Sequence, residues 1–127
     1  MHRSRVYAIL IDTPRDEADQ AVAFWSAALG APARPLPTEP QFVNLHEALP
    51  DLDLAVQAID DGAPRMHIDI ETDDIEAETA RLLALGATQV TRWQECRVLR
   101  APGGHLVCVL PVESAPDVFA AHARTWQ

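Results

Sequence analysis

The tetrapeptide ALGA closes two segments of this 127-residue chain, AVAFWSAALGA at 21–31 and EAETARLLALGA at 76–87, the two copies lying 56 positions apart. An internal repeat constrains a fold more tightly than any isolated motif, because each copy must build the same unit and the units must pack. The flanks repeat as well. RVYAILID (5–12) precedes the first copy and RMHIDIET (65–72) the second. Both are short runs rich in β-branched residues, which predicts a strand before each helix. In RMHIDIET, Met66, Ile68 and Ile70 alternate with His67, Asp69 and Glu71, the period-2 pattern of a strand whose apolar face is buried.

Between strand and ALGA the period changes. Ala18, Ala21, Val22, Trp25, Ala28 and Leu29 recur at helical spacing, with Gly30 placed to cap the helix. DDIEAETARLLALG (73–86) repeats this, with acids in its first turn and Gly86 as its cap. Three extended runs follow each helix. After the first come APARPLPTEP (31–40), QFVNLHEAL (41–49) and LDLAVQAID (52–60). The first of these holds four of the ten prolines and reads as a loop or irregular edge strand. After the second come ATQVTRWQ (87–94), CRVLRAP (96–102) and HLVCVLPV (105–112), with APGGH as a tight turn. APDVFAAHARTWQ (115–127) predicts a C-terminal helix, with Ser114 as N-cap and Pro116 early in the helix. The expected fold is α+β: one domain of two βαβββ modules, about 5–60 and 65–112, plus a short helix at about 115–126.

The net charge of −9 excludes non-specific binding to nucleic acid or anionic membrane, both of which need a basic footprint. The apolar run at 6–11 is too short for a secretory signal core, and no stretch reaches the roughly 20 residues of a membrane span. Cys96 and Cys108 form neither a CxxC pair nor a disulfide framework and read as reduced thiols, so the expected location is the cytoplasm. There is no G-x-S-x-G elbow, dinucleotide fingerprint or paired-histidine metalloprotease motif.

AVAFWSAALGA, LAVQAIDDGAPRMHIDIETDDIEAETARLLALGAT (54–88) and VLRAPGGHLVCVLP (98–111) together resemble the glyoxalase/bleomycin-resistance/extradiol-dioxygenase (vicinal oxygen chelate) superfamily, in its glyoxalase-like domain branch. The resemblance implies two βαβββ modules whose mixed sheet curls around a cavity, a small-molecule ligand, a homodimer, and in many members a divalent metal. It also implies ligand positions on the first and last strands of each module. Counting back from Leu85 and Leu29 places His67 and Tyr7 on the first strands. Cys108 and Gln57 fall on the last strands. One imidazole, one amide, one phenol and one thiol make a poor set for a hard ion. His67 with Cys108 would begin a zinc site, using Gln57 or an inward-turning Asp69 or Glu71 as a further ligand. The expectation is therefore no cofactor, or a weakly held Zn, Mn, Ni or Fe ion.

Without a metal, His67 suits general base catalysis, oriented by Asp69, which shares its face. Trp93 offers a stacking surface for a flat ligand, with core or dimer contact as the other reading. Phe24 and Trp25 suggest core packing, and Trp126 a lid or interface. Arg97 and Arg100 offer carboxylate binding or a solvated edge, and Cys108 also reads as a small buried hydrophobe. Beside a scaffold with no small ligand, two functions stay open. One is conversion of a small organic molecule by lyase, isomerase or dioxygenase chemistry with His67 catalytic. The other, favoured by the acidity and the weak ligand set, is metal-free sequestration of a cationic compound.

Overall fold

The computed structural model describes residues 1–127. The fold is α+β, with nine strands in a mixed, open sheet and three α-helices. The order is β1 (His2–Pro14), α1 (Ala18–Leu29), β2 (Ala33–Leu36), β3 (Glu39–Leu45) and β4 (Asp53–Ile59). Then follow β5 (Arg65–Thr72), α2 (Ile75–Ala84), β6 (Thr88–Trp93), β7 (Cys96–Arg100), β8 (Leu106–Pro111), α3 (Pro116–His122) and β9 (Arg124–Trp126). The βαβββ order therefore occurs twice. The chain forms two compact units, residues 8–67 and residues 1–7 with 68–127, and β1 and β5 each run through a boundary between them.

In the 8–67 unit, β1 pairs parallel with β4, while β3 pairs antiparallel with β4 and with β2. Its core is Ile11, Ala31, Leu45 and Val56, with Ala21, Val22 and Trp25 of α1 packed against it. Trp25 thus meets the packing expectation. Phe24 meets it edge-on at 5.1 Å but is itself 61% exposed. The proline-rich run becomes β2, an exposed strand whose register slips between Pro35 and Leu36. Proline without an N–H cannot extend a ladder regularly.

The other unit repeats the plan. β5 pairs parallel with β8, β7 antiparallel with β8, and β6 antiparallel with β7. Asp74 caps α2, its carboxylate accepting from the Ala77 backbone N–H at 3.0 Å. The C-terminal helix is shorter than expected. It ends at His122, and residues 124–126 form β9 against His2, Arg3 and Ser4 of β1. The cause is local. The Trp126 indole N–H donates to Ser4 Oγ at 2.9 Å, and the ring lies 3.8 Å from the Arg81 guanidinium, contacts that continuation of the helix would forfeit.

The glycines of both ALGA copies have positive φ, +65° at Gly30 and +113° at Gly86. A Cβ on Gly30 would meet nothing within 4 Å, whereas on Gly86 it would come within 3.3 Å of Pro102. Gly30→Ala should therefore cost about 1–2 kcal/mol, the left-handed penalty alone. Gly86→Ala should cost more, and urea melts of the two variants check the order.

Candidate functional site

RMHIDIET forms β5 with the predicted bounds, but its burial runs against hydropathy. Met66 and Ile68 are 53% and 43% exposed, while Glu71 is fully buried and His67 and Asp69 are half-buried. The polar positions can be buried because they are matched to partners.

His67 is held by Asp12. The carboxylate oxygen Oδ2 accepts from Nδ1–H at 2.6 Å, and the side chains are only 11% and 3% exposed. An ionised carboxylate can only accept, so this bond puts the proton on Nδ1 and leaves Nε2 as the ring's accepting nitrogen. Asp12 stands directly across β4 from Gln57, which pairs in turn with Phe42 of β3. The second Asp12 oxygen, Oδ1, is buried without a hydrogen-bond partner. Leaving an acceptor so costs on the order of 1–3 kcal/mol, which marks Asp12 as a residue placed for His67 at some expense to stability.

On β5 itself, Asp69 follows His67 by two residues and so shares its face of the strand. Across β8, Asp69 pairs with Cys108. Asp69 and Cys108 each offer one metal-ligating atom, and the two lie within 4.8 Å of each other. Both side chains, like that of His67, are half-buried. Glu71 has other work. Its Oε1 accepts the backbone N–H groups of Glu113 and Ser114, and its Oε2 accepts the Ser114 hydroxyl at 2.6 Å and faces Arg5 Nε at 3.1 Å.

The remaining candidates lie elsewhere. Gln57 is beside Asp12, and Tyr7 is half-buried in the first half of β1. Trp93 is 48% exposed at the end of the wholly exposed strand β6. Arg97 is not a solvated edge residue. It is buried, and its guanidinium donates to Glu76 at 2.8 Å. Arg100 donates to the Gly104 carbonyl in the β7–β8 turn. Neither cysteine is in a disulfide. Asp12 is the residue that sequence reasoning missed. The available signal was an acid closing the first strand of the repeat, yet its partner lies 55 positions away.

Asp69 and Cys108 offer one carboxylate and one thiol, a pair that suits zinc and similar thiophilic ions better than Mg²⁺, Ca²⁺ or Mn²⁺, which want mainly oxygen ligands.

A βαβββ unit repeated in tandem, with its polar cluster on the first and last strands of the second copy, is the build of a glyoxalase-like domain. The model of the glyoxalase-like domain family matches residues 8–110, and the chain belongs to that family. Members of the wider glyoxalase/bleomycin-resistance/dioxygenase superfamily bind or convert small molecules. Among solved structures, a hypothetical protein of Bacillus halodurans aligns with TM-score 0.63 at 13% identity, covering 88% of this chain and 97% of its own. Methylmalonyl-CoA epimerase from Mycobacterium tuberculosis aligns with TM-score 0.55 at 16% identity, covering 91% of each chain. A glyoxalase/bleomycin resistance protein/dioxygenase superfamily member from Vibrio splendidus aligns with TM-score 0.51 at 16% identity, covering 82% of this chain and 97% of its own. These likenesses establish the fold. No curated protein matches the sequence.

Proposed function

We propose that this domain binds a small carbonyl-bearing organic molecule beside the Asp12–His67 pair and converts it, with His67 as the working residue. The observation that carries the reading is the 2.6 Å bond between His67 Nδ1 and the buried Asp12 carboxylate. Asp12 fixes the ring's tautomer and orientation and raises the electron-donating power of Nε2. Reduced thiols at Cys96 and Cys108 support a reducing compartment such as the cytoplasm.

The name of one structural neighbour, an epimerase of an acyl-CoA, supports proton exchange next to a carbonyl as the first chemistry to test. Incubation in D₂O with 2-oxo acids, hemithioacetals and acyl thioesters should give deuterium incorporation, read by NMR or mass spectrometry. His67→Ala should slow that exchange roughly 10²–10⁴-fold, the usual worth of a positioned acid–base group. Equal rates in wild type and His67→Ala would refute the assignment.

A further inference from the structure

We infer that the β6–β7 hairpin and the start of α2 form a second ligand site, a cleft that takes a small organic monocarboxylate between Arg92 and Arg97. This does not depend on the reading of His67. Every residue that lines the cleft belongs to the unit of residues 1–7 and 68–127.

The cleft measures about 490 Å³, within the range of small-molecule sites. Arg97 is in its wall, with a side chain only 10% exposed. A guanidinium keeps its charge, so burying one is costly unless a counter-charge and acceptors face it. The chain supplies little of either. One N–H of Arg97 donates to the Glu95 carbonyl at 3.0 Å and one to Glu76 Oε1 at 2.8 Å, which leaves the rest of the fork for a further acceptor. The Glu76 carboxylate is 82% exposed, so water screens the pair.

Strand register adds the second arginine. Arg92 stands directly opposite Arg97 across β6 and β7. Like charges so placed destabilise a ladder. The pairing is the product of a register slip between Gln89 and Thr91. Continued from the Gln89–Leu99 pair without it, the ladder would set Thr91 opposite Arg97. Slips of this kind re-aim side chains and gather beside functional sites. This one puts two guanidinium groups on one face at the cleft, where a shared anion would relieve their repulsion.

The acids of the cleft do not make it a cation site. Asp73 is held by Arg3, whose backbone N–H and guanidinium both donate to it, and Asp74 accepts from Ala77 as the cap of α2. Glu76 and Glu95 set the charge of the ligand instead, since a dianion would be repelled by both. A planar monocarboxylate matches the arginine fork. Glu76 already displays the mode of binding. It is a carboxylate on Arg97 that, on the exposed first turn of α2, can swing into water when a ligand takes its place.

The test titrates the full chain with sodium acetate, with sodium benzoate and separately with sodium phosphate, at an ionic strength fixed by sodium chloride. Backbone amide shifts are followed by ¹⁵N NMR. Both carboxylates should give saturable shifts centred on residues 75–76 and 92–97, and phosphate should bind more weakly. Arg92 is exposed, so Arg92→Ala should fold as wild type does. It should weaken carboxylate binding roughly 10–100-fold, the worth of a charge-assisted hydrogen bond. Glu76→Gln should tighten binding several-fold, because the competing carboxylate is gone. A role for these side chains in the fold alone predicts no such gain. Shifts that never saturate, or carboxylate binding undiminished in Arg92→Ala, overturn the site. Phosphate binding more tightly than either carboxylate overturns the class of ligand. Binding no tighter in Glu76→Gln than in wild type overturns the displacement of Glu76.

Discussion

Glu78→Ala should lower the unfolding free energy by about 3–5 kcal/mol, the usual cost of removing one partner from a buried charge pair. Glu78 is on α2 and wholly buried. Arg81 grips it with two bonds of 2.8 Å, and His2 and Ser4 of β1 each donate to it at 2.7 Å. Ser4 in turn accepts from Trp126, which stacks on Arg81. Removing the carboxylate strands donors from β1 and α2 and loosens β9 as well.

The same group makes stability depend on acid. Burial alone would raise the Glu78 pKa, but the bonds from Arg81, His2 and Ser4 outweigh it and hold the value at about 2, below the ordinary 4.5. A depressed carboxylate stabilises fully above its unfolded value, and that contribution fades as pH falls from about 4.5 toward 2. It amounts to about 3 kcal/mol, at 1.36 kcal/mol per pH unit. Urea midpoints measured from pH 7 to pH 2 should fall steeply below 4.5 in wild type and less steeply in Glu78→Gln. Parallel curves for the two proteins would show that the network does not carry the acid response.

Glu71→Ala should cost a similar amount, about 3–5 kcal/mol, by a different route. Glu71 closes the turn from β8 to α3, where two backbone N–H groups and a hydroxyl converge on its carboxylate. Without it those N–H groups lose their acceptor, and Arg5, 5% exposed, loses its counter-charge. Hydrogen exchange at Glu113 and Ser114 should accelerate by orders of magnitude in Glu71→Ala, and less in Glu71→Gln, whose amide oxygen still accepts. Unchanged protection at these two amides would show that the turn is held by other contacts.

Local pattern made the fold legible. Strand, helix and left-handed glycine recur because period, cap and turn chemistry are written in neighbouring residues. That is why α1, α2 and the proline-disturbed β2 match expectation. His67 and Cys108 were readable as candidates because the family resemblance implies ligand positions on first and last strands, and Asp69 because alternation puts it on the face of His67. Asp12 was not readable, because its value comes from a partner 55 positions away and no local period encodes strand pairing at that distance. The polar face of β5 misled for a related reason. Hydropathy puts Glu71 outside, and only its four partners, all distant in sequence, allow it inside. The same applies to Trp126, whose residues read as helix until β1 offers them a ladder.

The pairing of His2, Arg3 and Ser4 with Arg124, Thr125 and Trp126 also bears on how the chain acquires its structure during synthesis. Residues 8–67 are contiguous, so that unit can collapse while the ribosome is still translating the second half. The other unit joins residues 1–7 to 68–127 and is complete only when the last residues emerge. Its contacts span almost the full chain and carry the loop-closure cost that slows folding. A nascent chain therefore carries the Glu71 carboxylate without its turn partners until residues 113 and 114 have been made.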